Sequence, residues 1–334
     1  MSLGTKILFF EQLNTYLSSS IPISTSFTNI KKYSDNSTIK LIASILLKEM
    51  DKGANFSDAI LKFKNTIGAV YCNLISLGAQ AGELPQILDD IYRSLKRQQE
   101  IKINILKQLA YPAFLLFGML LPSVALLGYF IAPRFRTIHE NLGGTIPSNI
   151  AAIEQTAATF QAGWFLILIL IALIGWGGVT LFKKLIKSKA GMKVPVMGAI
   201  IKFYNLSMFT RLLAISYSAG IPITHGILLA SEAINNNYMK KILYKCSSMV
   251  TKCAFTETFA TTGLFTPNMI TKIQTGELTG ELDKILREIS NDIDRNLEAA
   301  ISSALKLIEP ILMVIIAVFV GIYGVSIMST IYTF

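Results

Sequence analysis

The chain has 334 residues, enough for two or three domains. It is 52% hydrophobic and only 16% charged, with a mean hydropathy of +0.50, whereas a soluble globular chain carries about a quarter charged residues. An ordinary soluble enzyme is therefore set aside in favour of a membrane-inserted chain. The formal net charge of +10 is not read as a nucleic-acid footprint, because the basic residues sort around the apolar runs, as they do in membrane proteins.

The first element is an amphipathic helix over residues 1–17, with Ile7, Leu8, Phe9, Phe10, Leu13 and Leu17 interrupted by Glu11 and Gln12. No small-residue cleavage site follows it, so it is not a cleaved signal peptide. Ser20-Ile21-Pro22 then forms a helix-to-helix turn. Further on, Ile87, Leu88, Ile91 and Leu95 share one helix face. No stretch alternates with period two between turn signals, and the whole extramembrane part is predicted to be helical.

Three uncharged stretches are long enough to cross a bilayer, which takes about 20 apolar residues. The first runs from Leu109 to Ala132, with Tyr111 and Tyr129 near its ends, Pro112 in its first turn and an internal, kinking Pro122. The loop 134–162 carries only Arg134 and Arg136, offset by Glu140 and Glu154. The second span is Gly163 to Phe182, with Trp164 at its entry and Gly175, Gly177 and Gly178 allowing close helix contact. Lys183, Lys184, Lys187, Lys189 and Lys193 crowd its exit. The third span is Pro310 to Phe334, with Ala317 and Gly321 four apart and Tyr332 near the end. Of 31 Lys and Arg residues, 13 lie in residues 1–111 and 16 in residues 183–308, which by the positive-inside rule puts both large segments in the cytoplasm.

The predicted organisation is an all-α membrane protein with two homologous cytoplasmic helical-bundle domains and three transmembrane helices. Residues 1–108 form the first cytoplasmic domain, 109–133 the first span, 134–162 a periplasmic loop and 163–183 the second span. Residues 184–308 form the second cytoplasmic domain, and 309–334 the third span with a short periplasmic end. The homology is internal. Ser20-Ile21-Pro22-Ile23 returns as Gly220-Ile221-Pro222-Ile223, and Phe9 and Leu13 return as Phe209 and Leu213, each 200 residues on. Phe56-Ser57-Asp58 returns as Phe255-Thr256-Glu257 after 199. Gly78-Ala79-Gln80-Ala81-Gly82-Glu83-Leu84 returns as Gly276-Glu277-Leu278-Thr279-Gly280-Glu281-Leu282, and Tyr111-Pro112 as Glu309-Pro310, both after 198. Five matches in order with so small a drift are a duplication. Two copies in one orientation need a return crossing between them, which the second span supplies. In the second copy Leu282, Ile285, Ile289, Ile293 and Leu297 form the helix face that Ile87 to Leu95 form in the first.

The motifs permit more than one role. In the Gly-Glu segment Thr279 is a candidate N-cap, with Gly280, Glu281 and Asp283 in the first turn after it. The segment then reads either as a helix junction or as a docking surface where Glu277 and Glu281 meet basic residues of a partner. Glu309 stands at a span entrance, either in the headgroup zone or in contact with a neighbouring cytoplasmic helix or a partner. Glu288, Asp292 and Asp294 with Arg287 and Arg295 read as a solvated helix face. Lys183 to Lys193 read as a topology and headgroup signal. Cys72, Cys246 and Cys253 read as reduced core cysteines of a cytosolic part. His139 and His225 form no evident metal pair. The sequence has no phosphate-binding Gly-x4-Gly-Lys-Ser/Thr loop and no Gly-x-Ser-x-Gly elbow. No catalytic, cofactor-binding or metal residue is assigned, and no cofactor is expected.

Taken together, these residues resemble the F-type platform proteins of type II secretion and the PilC-type proteins of type IV pili. The resemblance covers nearly the whole chain. It rests on the Gly-Ile-Pro-like turn in each half, the later Gly-Glu-x-Ser-Gly-x-Leu-like motif, and Pro at the start of the following span. Thr279 replaces the family's Ser, and Ala79 departs from its Glu in the first half. The resemblance implies a non-enzymatic inner-membrane platform of a bacterial cell, multi-pass, N-terminus cytoplasmic and C-terminus periplasmic. It further implies partners: a cytoplasmic assembly ATPase, pilin-like subunits, other inner-membrane assembly proteins, the lipid bilayer and a second copy of the chain, with no nucleic acid. Gly82, Glu83, Gly276, Glu277, Thr279, Gly280, Glu281 and Glu309 are the candidate partner-contact residues. The chain starts almost directly at its first repeat, which suggests a compact variant. The competing reading is a small transporter or channel, which the charge-free spans disfavour; a membrane enzyme or receptor would need a catalytic constellation that the sequence lacks.

Overall fold

The computed structural model describes residues 1–114, 137, 187–194, 197–311, 313–314, 317–318 and 321, and all its regular elements there are helical. Among the described residues six helices form in each half, in matching order. The first half gives α1 (Leu3–Ser18), α2 (Ile23–Tyr33), α3 (Ser37–Asp51), α4 (Phe56–Leu61), α5 (Ala69–Ala81) and α6 (Leu84–Phe114). After a short 3-10 turn at Ala190–Lys193, the second gives α7 (Met197–Ser218), α8 (Ile223–Glu232), α9 (Asn237–Met249), α10 (Phe255–Ala260), α11 (Pro267–Thr279) and α12 (Leu282–Lys306).

The boundaries follow from local chemistry. Pro22 and Pro222 occupy the N-cap positions of α2 and α8. The residue two places before each takes a positive φ: Gly220 at 69° without penalty, and Ser20 at 59°, where a side chain is disfavoured. Asn36 and Asn236 cap α3 and α9 alike. Asn36 Oδ1 accepts from the N–H groups of Thr38 and Ile39 at 3.0 and 3.2 Å, and Asn236 Oδ1 from those of Tyr238 and Met239 at 3.1 and 3.0 Å. α11 opens with Thr266 as cap and Pro267 in its first turn.

The chain divides into two units. One comprises residues 1–103 and 186–300, so the segments predicted as two domains form a single compact body. One apolar core runs through it, with Phe9, Leu13, Phe209 and Leu213 all fully buried and the predicted faces of α6 and α12 turned inward. Each such side chain contributes about 1.5–3 kcal/mol on leaving water. α8 of the second repeat packs against α5 of the first. The other unit comprises residues 104–185 and 301–334. Its described part includes the ends of α6 and α12, where Ser302 Oγ and Gln108 Oε1 are 3.2 Å apart. No described helix is long and apolar enough to cross a membrane. The second predicted span, most of the first and third, and the loop 134–162 apart from residue 137 lie outside the described residues.

Candidate functional site

The Gly-Glu segment is the junction between α11 and α12, and the corresponding first-half segment joins α5 to α6. Two glycines explain each junction. Gly82 and Gly280 take left-handed φ values of 81° and 75°, which lets the chain reverse. Gly78 and Gly276 let the next helix approach closely: a Cβ on Gly276 would lie 2.9 Å from Ile285 Cγ1 and 3.3 Å from the Leu282 Cα, and one on Gly78 would meet the tip of Ile87. In the first half the Gly82 and Glu83 N–H groups both donate to the Gly78 carbonyl, closing the end of α5.

This geometry corrects the expected role of Thr279. It is not the N-cap of α12 but the last residue of α11, and its Oγ1 donates to the Thr275 carbonyl at 2.9 Å. The left-handed residue is Gly280, and α12 starts at Leu282, two residues later than a cap at Thr279 would place it. Glu277 and Glu281 consequently lie on different helices. Glu281 pairs with Lys284 at the exposed start of α12. Glu277 reaches to the N-terminus of α10, where its carboxylate accepts from the Phe255 N–H at 2.8 Å and from the Thr256 N–H and Oγ1 at 3.0 and 2.6 Å. Ala254, the N-cap of α10, offers no side-chain acceptor, and Glu277 takes its place. Partial burial pushes the Glu277 carboxyl up, but the three donated hydrogen bonds outweigh it and hold the pKa below the ordinary value. The first half has Ala79 here, and the cap of α4 is Asn55, which makes no side-chain capping bond.

The acidic run on α12 is also corrected. Glu288 and Asp292 do lie towards solvent, bound to Lys272. Asp294 is 1% exposed. It accepts from Ser207 Oγ and Arg211 of α7 and, at 3.2 Å, from Arg97 Nε of α6. Arg97 also donates to Glu298 at 2.9 Å. One helical turn pair earlier, Arg287 grips Asp90 of α6 with both Nη atoms, at 2.5 and 2.6 Å. Arg287, Ser290, Asp294 and Glu298 recur every three or four residues, so one stripe of α12 is polar, with Ser290 and Asp294 buried at its centre and Arg287 and Glu298 partly exposed at its ends. This seam ties the two repeats together, and a cavity of about 300 Å³ lies along it, lined by Arg93, Ser94, Arg97, Arg211 and Arg287 among others. Sequence reasoning missed it because the partners are up to 201 residues apart.

Of the other candidates, Gly82, Glu83, Gly280 and Glu309 are exposed. So is Leu278, at 81%, which the sequence did not single out. Cys72 and Cys246 are buried, which pushes both thiols up to about 11, whereas Cys253 is exposed. No three potential metal-ligating side chains cluster among the described residues.

A duplicated six-helix segment with glycine-hinged junctions and an inter-repeat ionic seam defines a structural class of helical protein. The sequence profile of the family described as "Type II secretion system (T2SS), protein F" matches residues 9–132 and again residues 209–330, and the chain belongs to that family. The type IV pilus assembly protein PilC of Pseudomonas aeruginosa is 25% identical over 321 residues, covering 94% of this chain and 85% of the relative. The type IV pilus assembly protein TapC of Aeromonas hydrophila is 24% identical over 318 residues, covering 93% and 76%. The type II secretion system protein F of Aeromonas hydrophila is 22% identical over 275 residues, covering 81% and 71%.

Proposed function

We propose that the chain is a non-enzymatic, multi-pass platform in the inner membrane of a type IV pilus or type II secretion machine. In this role it links a cytoplasmic assembly ATPase to pilin-like subunits and assembles with other inner-membrane components and further copies of itself. The observation that carries the reading is the double match to the protein F family over the two six-helix segments. The names of the pilus-assembly and secretion relatives support the same direction.

The fold supports the topology drawn from charge. Residues 1–103 and 186–300 belong to one compact unit, so an even number of crossings joins them. Two predicted spans, 109–133 and 163–183, fit that requirement, with 134–162 in the periplasm and the third span carrying the C-terminus outward. Within the candidate contact set, Gly276, Glu277 and Thr279 hold the helix junction, while Glu83, Glu281 and Glu309 remain open to a partner. The test is a clean deletion. It should abolish filaments or secretion while pilin synthesis continues, and the complemented strain should yield crosslinks from the full-length protein to the assembly ATPase. Normal filaments in the deletion strain would overturn the reading.

A further inference from the structure

We propose that the face of α9 carrying Lys240, Lys241, Tyr244 and Lys245 is a lipid-docking surface for anionic phospholipid headgroups of the bilayer the chain crosses. The inference rests on the membrane placement proposed above. Four observations lead to it. The four residues have the spacing i, i+1, i+4, i+5 and share one side of the helix. Lys241, Tyr244 and Lys245 are exposed, and none of the three lysines forms an ion pair among the described residues. This helical face is therefore charged without an internal reason.

The second observation is the contrast between repeats. At the 200-residue offset, Lys241 and Lys245 correspond to Leu41 and Ile45 of α3, both exposed, and Tyr244 corresponds to Ser44. Lys240 keeps a basic counterpart in Lys40, but the six-helix fold accepts apolar residues at the other two lysine positions, so the charges of Lys241 and Lys245 belong to the second repeat alone. Third, α9 is fixed to the lysine-rich segment that follows the second predicted span. Asn236 Nδ2, at the N-cap of α9, donates to the Ser188 carbonyl at 3.0 Å, and Lys189 Nζ lies 4.7 Å from the centre of the Tyr238 ring. Fourth, that segment begins at Lys183, directly after Phe182. Ser188 and Lys189, which hold the start of α9, thus follow the end of the predicted span by only six and seven residues. Basic clusters in such a position are attracted to anionic headgroups, and an exposed tyrosine among them suits the interface, where its ring and hydroxyl meet different environments.

The test uses the full-length protein in nanodiscs of phosphatidylcholine alone or of phosphatidylcholine with phosphatidylglycerol, read by hydrogen exchange. The α9 amides should exchange about tenfold more slowly in the anionic discs, and added salt should remove the difference. The α3 amides should exchange equally in both. Lys241→Leu with Lys245→Ile copies the residues of the first repeat, so it keeps the fold; it should abolish the lipid response, as should the charge reversal Lys240→Glu, Lys241→Glu, Lys245→Glu. Equal α9 exchange in both discs would overturn the proposal. So would slowing that appears only on adding the assembly ATPase and is independent of lipid, since the face would then dock a protein. Loss of filaments in the deletion strain together with lipid-indifferent α9 removes this proposal and leaves the platform. Filaments in the deletion strain together with a lipid response remove the platform and leave the surface.

Discussion

At the level of single residues, the motif that marks each repeat is a set of solutions to helix-junction problems. Gly276 sits where α12 crosses α11 closely enough to place Ile285 Cγ1 2.9 Å from a would-be Cβ and the Leu282 backbone 3.3 Å away. Gly276→Ala should therefore destabilise the protein by about 1–2 kcal/mol, the overpacking cost less the helix propensity gained. Gly78→Ala should cost less, because its clash is chiefly with the tip of the Ile87 side chain, which can turn aside. Thermal melts of the full-length chain in detergent compare the two. Glu277 makes a sharper case. Glu277→Ala should cost about 1 kcal/mol at neutral pH, the value of a helix cap. Its folded pKa lies below the ordinary glutamate value of 4.5. The stabilisation is thus complete above that value and lost as pH falls through the folded pKa. Wild type and variant should differ at neutral pH and converge in acid; a difference that persists in acid would remove the carboxylate as its cause.

At the level of elements, α12 shows what periodicity reveals and what it hides. Its apolar stripe, from Leu282 to Leu297, was legible because burial repeats every three to four residues. Its second stripe was not, because a buried Asp and a solvated Asp look alike until their partners are known. Asp294→Ala should be strongly destabilising, by about 3–5 kcal/mol, because it leaves Arg211 and Arg97 without their shared carboxylate. Glu281→Ala, which removes an exposed pair on the same helix, should leave the urea unfolding midpoint unchanged. Urea titrations of both variants check this. The repeats have also diverged where they meet. Leu77 of α5 and Leu228 and Leu229 of α8 line the contact between these helices, while the equivalent positions are Thr275, Thr28 and Asn29. Among the described residues α2 and α11 make no comparable contact. At these three positions the covered copy is apolar and the uncovered copy polar, and only the fold says which is which.

At the level of the whole molecule, the duplication was legible from five short matches, and the structure extends it to the twelve described α-helices in register. That agreement arises because turn residues such as Pro22 and Pro222 act locally and carry their meaning wherever they occur. The union of both repeats in one unit was not legible, since it depends on contacts such as Arg287 to Asp90 across 197 residues. Thr279 and Cys253 were misplaced for the same kind of reason: a hydroxyl can cap forward or bond backward, and a cysteine's burial depends on its neighbours. The account as a whole rests on both repeats occupying the same side of the membrane, because one compact body cannot straddle a bilayer. Topology reporters inserted into the full-length chain near residue 250 and near residue 150 test this most directly. The account predicts a cytoplasmic signal at the first and a periplasmic signal at the second; a periplasmic signal near residue 250, with the N-terminus cytoplasmic, would contradict it.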